Sequence, residues 1–283
     1  MILFKKAEDL HIYLEKQRKS GKKYGFVPTM GALHEGHISL IEASRKTNDL
    51  TVCSIFINPT QFNDQSDFEK YPVTLEKDIT KLHMANCDVV FQPLVGEMYP
   101  HGTSVIRRYD LGYLEQILEG TYRPGHFQGV CAIVHRLLDI VKPDHLYIGQ
   151  KDYQQCMVIK KLIEIIGMDS LVRLHISPTL REPGGLAMSS RNSRLSSGER
   201  KKATAIFQTL LFVKENIASG DLDDLKKAAE KKLSEDGFKV DYVEVAAAES
   251  LQLTKHWDGK EKLVVLAAAY LNEVRLIDNL LVN

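Results

Sequence analysis

His34 and His37 stand three residues apart in the stretch VPTMGALHEGH (27–37), with Glu35 and Gly36 between them. Two imidazoles at that spacing are poor metal ligands, because the zinc-protease pattern sets its histidines four apart with a glutamate beside the first. At the start of a helix they can instead face an anion. The first helical turn offers N–H groups and a partial positive charge, and ring N–H groups add further donors. Gly31 and Gly36 would let the backbone approach a nucleotide closely. Capping of the helix start accounts for two histidines equally well, and the spacing alone leaves both readings open.

Three other stretches hold polar side chains suited to small charged molecules. FINPTQFN (56–63) carries Asn58 and Gln61, uncharged groups that match hydroxyls and a carboxylate, although Asn-Pro also opens ordinary turns. YIGQKDYQQ (147–155) sets Lys151 and Asp152 before a helical segment, where an N-cap aspartate with a solvated lysine would look the same. GGLAMSSRN (184–192) supplies hydroxyls and Arg191 in a glycine-preceded loop, as a solvated linker also would.

The elements that must position these groups alternate. YGFV ends a strand before VPTMGALHEGH, and ISLIEASRK after it has helical spacing, with Ile38, Leu40, Ile41 and Ala43 able to share an inward side. LTVCSIFI (50–57), CDVVFQP (87–93), HLYIGQ (145–150) and VRLHISP (172–178) read as strands. TLEKDITKLHMA, FQGVCAIVHRLLDIV and YQQCMVIKKLIEIIG read as helices between them. Continuous apolar strands alternating with helices predict a parallel sheet covered on both faces. In such sheets ligands bind beyond the carboxyl ends of the strands, where all four polar stretches fall.

Near residue 190 the pattern changes. MSSRNSRLSSGERKK is polar enough for a linker or loop, and ERKKATAIFQTLLFVKENIA and LDDLKKAAEKKLSED follow as two helices. DYVEVAAA and KLVVLAAAYLNEVRLIDNLLVN (262–283) then read as strands that pair. The expectation is two domains, 1–187 and a smaller α+β domain over 188–283.

The 37 basic and 37 acidic residues cancel, which argues against an extended nucleic-acid surface. Cys53, Cys87, Cys131 and Cys156 form no C-x-x-C pair and are expected to be reduced and mostly buried. MILFKKAEDL meets charges too soon for a signal peptide, and LVVLAAAYL is too short to span a bilayer. A soluble cytoplasmic protein with no membrane partner is expected.

The ordered series PTMGALHEGH, NPTQF, YRPGHFQGV, GQKDYQQ and GLAMSSRN resembles the pantothenate synthetase (pantoate–β-alanine ligase) family from about residue 24 to 195. HEGH resembles the HIGH motif of the nucleotidylyltransferase superfamily, and MSSRN its second phosphate loop. That loop lacks the superfamily's lysine and has Arg191, the form expected of this family, with Lys151 as the compensating cation.

The resemblance implies a Rossmann-like N-terminal domain and a C-terminal lid domain. It implies that ATP, arriving with Mg2+, activates (R)-pantoate as pantoyl adenylate, and that β-alanine displaces AMP to give pantothenate, a coenzyme A precursor. Met30, Gly31, Ala32, Leu33, His34, Glu35, Gly36 and His37 would line the ATP site. Gly149, Gln150, Lys151, Asp152, Leu180, Met188, Ser189, Ser190 and Arg191 would complete it. His37, His34 and Lys151 would act catalytically. Gln61 and Gln155 would hold pantoate, Gln61 also β-alanine, and Asn58 stands beside them. The metal ligands are left unassigned, with Asp78 a bare candidate. The resemblance further implies a homodimer. An adenylyltransferase acting on a phosphate ester shares the first motif and is the alternative; a class I aminoacyl-tRNA synthetase would need room and basic surface that this chain lacks.

Overall fold

The computed structural model describes residues 1–103 and 107–282; Asn283, the last residue of the expected C-terminal strand pair, lies outside them. The chain divides into two compact units, Met1–Gly149 with Val158–Ser177, and Gln150–Met157 with Pro178–Asn283.

Strands β1 (Ile2–Phe4), β2 (Tyr24–Thr29), β3 (Leu50–Ile55), β4 (Val89–Phe91), β5 (His145–Gly149) and β6 (Arg173–Ser177) build the first unit. They form a six-stranded sheet in the order β1-β4-β3-β2-β5-β6, parallel throughout. Every residue of β3 is buried, whereas the edge strand β6 is partly exposed, which is why the central strands read as unbroken apolar runs. The chain builds outward from β2 through β3 and β4, then returns to the other side of β2 with β5. This reversal places a switch point at β2, the strand that leads into Pro28–His37.

Helices cross between the strands. Helix Glu35–Arg45 buries Leu40 and Ile41 as its spacing predicts, while Ile38 and Ala43 are only half-buried and Ser44 takes the remaining inward position. The buried Ser44 hydroxyl reaches the Thr51 hydroxyl of β3 at 2.7 Å, so its burial leaves no polar group wanting. Leu75–Met84, His126–Val141 and Tyr153–Ile165 are the other long helices of the sequence reading. Strand β1 was not expected: three residues beside β4 carry too short a pattern to register.

The second unit contains β7 (Gly220–Asp221), β8 (Lys239–Ala247), β9 (His256–Trp257), β10 (Leu263–Leu271) and β11 (Val274–Leu281). β8, β10 and β11 form an antiparallel sheet in the order β11-β10-β8, and β7 pairs with β9. Asn272, at φ 52, makes the tight turn between β10 and β11, a backbone conformation asparagine tolerates better than most residues. Helices Ala205–Asn216 and Asp223–Glu235 cover the sheet with Ile206, Leu210, Val213, Ala229 and Leu233.

The polar stretch after Ala187 is no unstructured linker. Ser190–Arg194 is a 3₁₀ turn and Ser197–Lys202 a helix, started by a capping box in which Ser196 and Glu199 each accept the other's backbone N–H. The helix expected over 199–218 breaks at Ala203 and Thr204, where the Thr204 hydroxyl donates to the Lys201 carbonyl at 2.7 Å. Among the described residues no helix is long and apolar enough to cross a membrane.

Candidate functional site

At the end of β2 the chain makes a turn that only a few contacts make possible. Gly31 has φ +83, and a Cβ there would lie 3.1 Å from both Asp78 Oδ2 and Ile55 Cγ2. Ala32 follows at φ +49, strained for a residue with a side chain. Asp78, on helix Leu75–Met84, compensates. Its carboxylate accepts the Ala32 N–H at 2.9 Å, the Leu33 N–H at 2.8 Å and the Thr74 hydroxyl at 3.1 Å. One turn further along the same helix, Lys81 donates to the Leu33 carbonyl at 2.7 Å. Asp78, considered above as a magnesium ligand, has both carboxylate oxygens engaged in holding this loop.

The loop delivers the chain to helix Glu35–Arg45 with His34 as N-cap. His34 donates its backbone N–H to His37 Nδ1 at 3.3 Å, and the rings lie 4.0 Å apart at 33°. An Nδ1 that accepts a hydrogen bond leaves the ring proton of a neutral His37 on Nε2. The cap and the anion-site readings are therefore compatible: the cap sets the tautomer that an anion needs.

Gln61 lies in the same unit. Its amide donates to Met30 Sδ at 2.7 Å and accepts from Asn58 Nδ2 at 3.2 Å, which brings NPTQF against PTMGALHEGH. Asn58 is fully engaged in holding the turn Pro59–Gln61. It accepts from the Tyr99 hydroxyl at 2.6 Å and from Thr60, and donates to the Gly129 carbonyl at 3.2 Å. Helix His126–Val141 supports the turn from below: His126 Nδ1 meets the Gln61 carbonyl at 2.7 Å, and a Cβ on Gly129 would sit 2.1 Å from the Thr60 carbonyl oxygen. Burial pushes the Tyr99 hydroxyl above its usual range, so it stays a donor to Asn58. Tyr99, His126 and Lys81 were missed by the sequence reading because nothing local marks a side chain whose partner is remote.

In the second unit, Gln150–Asp152 form a 3₁₀ turn before helix Tyr153–Ile165, and Lys151 Nζ lies 3.2 Å from Asp152 Oδ1. Gln155 is half-buried, in the first turn of that helix, whose start is tied by the Tyr153 hydroxyl donating to the Ala248 carbonyl at 2.8 Å. Leu180 accepts the Met188 N–H at 3.0 Å, and Arg181 bridges to Ala187, so the two nucleotide-binding candidates Leu180 and Met188 are neighbours. Ser189 caps the 3₁₀ turn by accepting the Arg191 N–H at 3.3 Å. Ser190 and Arg191 are half-buried, and Asn192 beneath them is buried, donating to Glu182 at 2.9 Å and the Ala187 carbonyl at 3.0 Å.

Asp278 and Asn279 of β11 are buried polar residues that no motif announced, although a polar pair inside the apolar run RLIDNLL was the visible signal. Burial raises the Asp278 carboxyl, and the Arg181 guanidinium opposes that shift. Within each unit the arrangement holds N–H groups and cations of the kind that can stabilise negative charge. Among the described residues no group of three or more His, Cys, Asp or Glu side chains could hold a metal ion.

A family model described as pantoate-beta-alanine ligase matches residues 2–281. A pantothenate synthetase of Fervidobacterium nodosum is 45% identical over 265 residues, 93% of this chain and 92% of that one. One from Cytophaga hutchinsonii is 40% identical over 285 residues, covering 100% and 99%. Among solved structures, the Thermus thermophilus pantothenate synthetase superposes with a TM-score of 0.90 at 38% identity, covering 100% of this chain and 99% of that one. The Francisella tularensis pantoate-beta-alanine ligase, complexed with beta-gamma ATP and beta-alanine, gives 0.82 at 37% identity, covering 99% and 97%.

Proposed function

The chain belongs to the pantoate-beta-alanine ligase family, and from that premise we infer an enzyme that joins pantoate to β-alanine at the expense of ATP. A carboxylate is a poor electrophile, so it must first be activated. A pantoate carboxylate oxygen bonds to the α-phosphorus of ATP, and the bond from that phosphorus to the bridging oxygen breaks, releasing pyrophosphate. The β-alanine amine then attacks the carbonyl of the mixed anhydride. The C–N bond forms, the C–O bond to AMP breaks, and the nitrogen gives up a proton to water. The phosphate-ester adenylyltransferase alternative shares only the first motif, whereas the family match spans the chain.

Assignment of roles to residues is part of the proposal. Met30 to His37 bind ATP, with His37 Nε2–H and His34 donating to phosphate oxygens as charge builds on them. Gly149 to Asp152, Leu180 and Met188 to Arg191 bind the same nucleotide, with Lys151 and Arg191 offsetting phosphate charge. Gln61 and Gln155 hold pantoate, and Gln61 also meets β-alanine. Magnesium enters with the nucleotide, as part of the substrate. Residues 188–283 act as the lid domain. A cytoplasmic homodimer completes the reading, on the strength of the resemblance. The observation that carries the catalytic part is the hydrogen bond from the His34 N–H to His37 Nδ1, which in the neutral ring places the proton on Nε2 at a helix start.

The purified protein, given ATP, pantoate and β-alanine, should form pantothenate and AMP in equal amounts. Formation of ADP instead would mean an acyl phosphate and would overturn the mechanism.

A further inference from the structure

We infer that Asn279 is a positioning residue for Lys151, and that strand β11 ties together the three nucleotide-binding segments of the second unit. The inference rests on the ligase reading above and on Lys151 acting at the ATP phosphates.

Successive side chains of a strand point to opposite faces, so adjacent Asp278 and Asn279 reach different segments. Asn279, 1% exposed, donates its side-chain amide to two successive carbonyls, those of Gln150 at 2.9 Å and Lys151 at 2.7 Å. Its amide oxygen accepts from Gln150 Nε2 at 3.2 Å. The backbone from which the Lys151 ammonium extends is thus fixed by one side chain some 128 residues away in sequence. Asp278 binds Arg181 through two contacts, at 2.5 and 3.0 Å. Arg181 also donates to the carbonyls of Gly185 at 3.0 Å and Asn279 at 3.2 Å, and lies 3.9 Å over the Phe207 ring. Arg181 follows Leu180 and bridges to Ala187, just before Met188. One strand therefore holds Gln150–Lys151 through Asn279, and Leu180 and Met188 through Asp278 and Arg181.

A buried amide with three partners could equally be passive glue, and the two roles separate in a double-mutant cycle on the full-length protein. ATP affinity is measured by calorimetry for wild type, Asn279→Asp, Asn279→Ser, Lys151→Ala and the two double variants. Asn279→Asp keeps the shape and the acceptor, donates to neither carbonyl when ionised and to one at most when protonated; Asn279→Ser keeps one donor. Loss of the buried donors should weaken ATP binding at least about tenfold in the Asp variant and less in the Ser variant. Pantoate affinity should hold within about threefold, because the Tyr153–Ala248 bond secures the start of the Gln155 helix independently. In the Lys151→Ala background the same substitutions should cost ATP little more, since the cation they position is gone. Unchanged ATP affinity in either folded Asn279 variant, or an equal loss in both backgrounds, would overturn the inference. If wild type exchanges pyrophosphate into ATP in the presence of pantoate but this pattern fails, the ligase reading stands and the inference alone falls.

Discussion

A neutral His37 carries its ring proton on Nε2 because the His34 amide occupies its other ring nitrogen. In the proposed role, replacing His37 by alanine removes a donor to the ATP phosphates, for which a loss of about 2.7–4 kcal/mol, or roughly 100- to 1,000-fold in rate, is expected. Single-turnover adenylate formation should fall by that factor while the thermal midpoint moves little; normal turnover in a destabilised protein would reduce His37 to a helix cap. Asp78→Ala should do the opposite first. It strands the N–H groups of Ala32 and Leu33, costing about 1–3 kcal/mol of stability, and lets the strained Ala32 relax. A denaturant midpoint unchanged from wild type would remove Asp78 from that role. The contrast explains what was legible at this scale. His34, Gly36 and His37 could be read because their geometry is set within a few residues. The loop-holding role of Asp78 could not, since the Leu33 and Ala32 amides it accepts lie 45 and 46 residues away and an aspartate in the first turn of a helix has a local reason to be there.

The turn Pro59–Gln61 shows how an element can govern a residue. The helix beneath it approaches so closely that a Gly129→Ala Cβ would meet the Thr60 carbonyl oxygen at 2.1 Å. That substitution should push Gln61 out of register and raise the KM for pantoate, leaving ATP affinity close to wild type; equal effects on both ligands would break the link between turn and pantoate. At the sheet edge, His175 of β6 stacks on Tyr147 of β5 with centroids 4.6 Å apart, and His145 lies 4.9 Å away. Burial first, then the neighbouring His145 and Arg173, lower the His175 pKa. The folded state thus prefers neutral His175. Its contribution to stability is complete above its ordinary value of about 6.5 and is lost as pH falls below it. Thermal midpoints measured from pH 7.5 to 5 should decline less steeply in His175→Gln than in wild type; parallel curves would contradict the assignment. The strands and long helices were legible from periodicity, because burial on both sheet faces leaves a continuous apolar trace. Strand β1 was too short for that, and Ser190–Lys202 escaped because short helices held by caps and the buried Asn192 have the composition of a loop.

For the molecule as a whole, the four cysteines are free and buried. Burial pushes the Cys87 and Cys131 thiols up to about 12. The native protein should resist a thiol reagent at neutral pH and react fully once denatured; rapid labelling of the native state would contradict the burial. The parallel sheet and the family were readable from motif order, while the second unit's claim on Gln150–Met157, at the start of a helix that ends in the first unit, followed only from tertiary contacts. The central claim is that the carboxylate attacks the α-phosphate before any amine is needed. Labelled pyrophosphate should therefore exchange into ATP when pantoate and magnesium are present and β-alanine is absent. No exchange, in protein that binds ATP normally, would contradict the account.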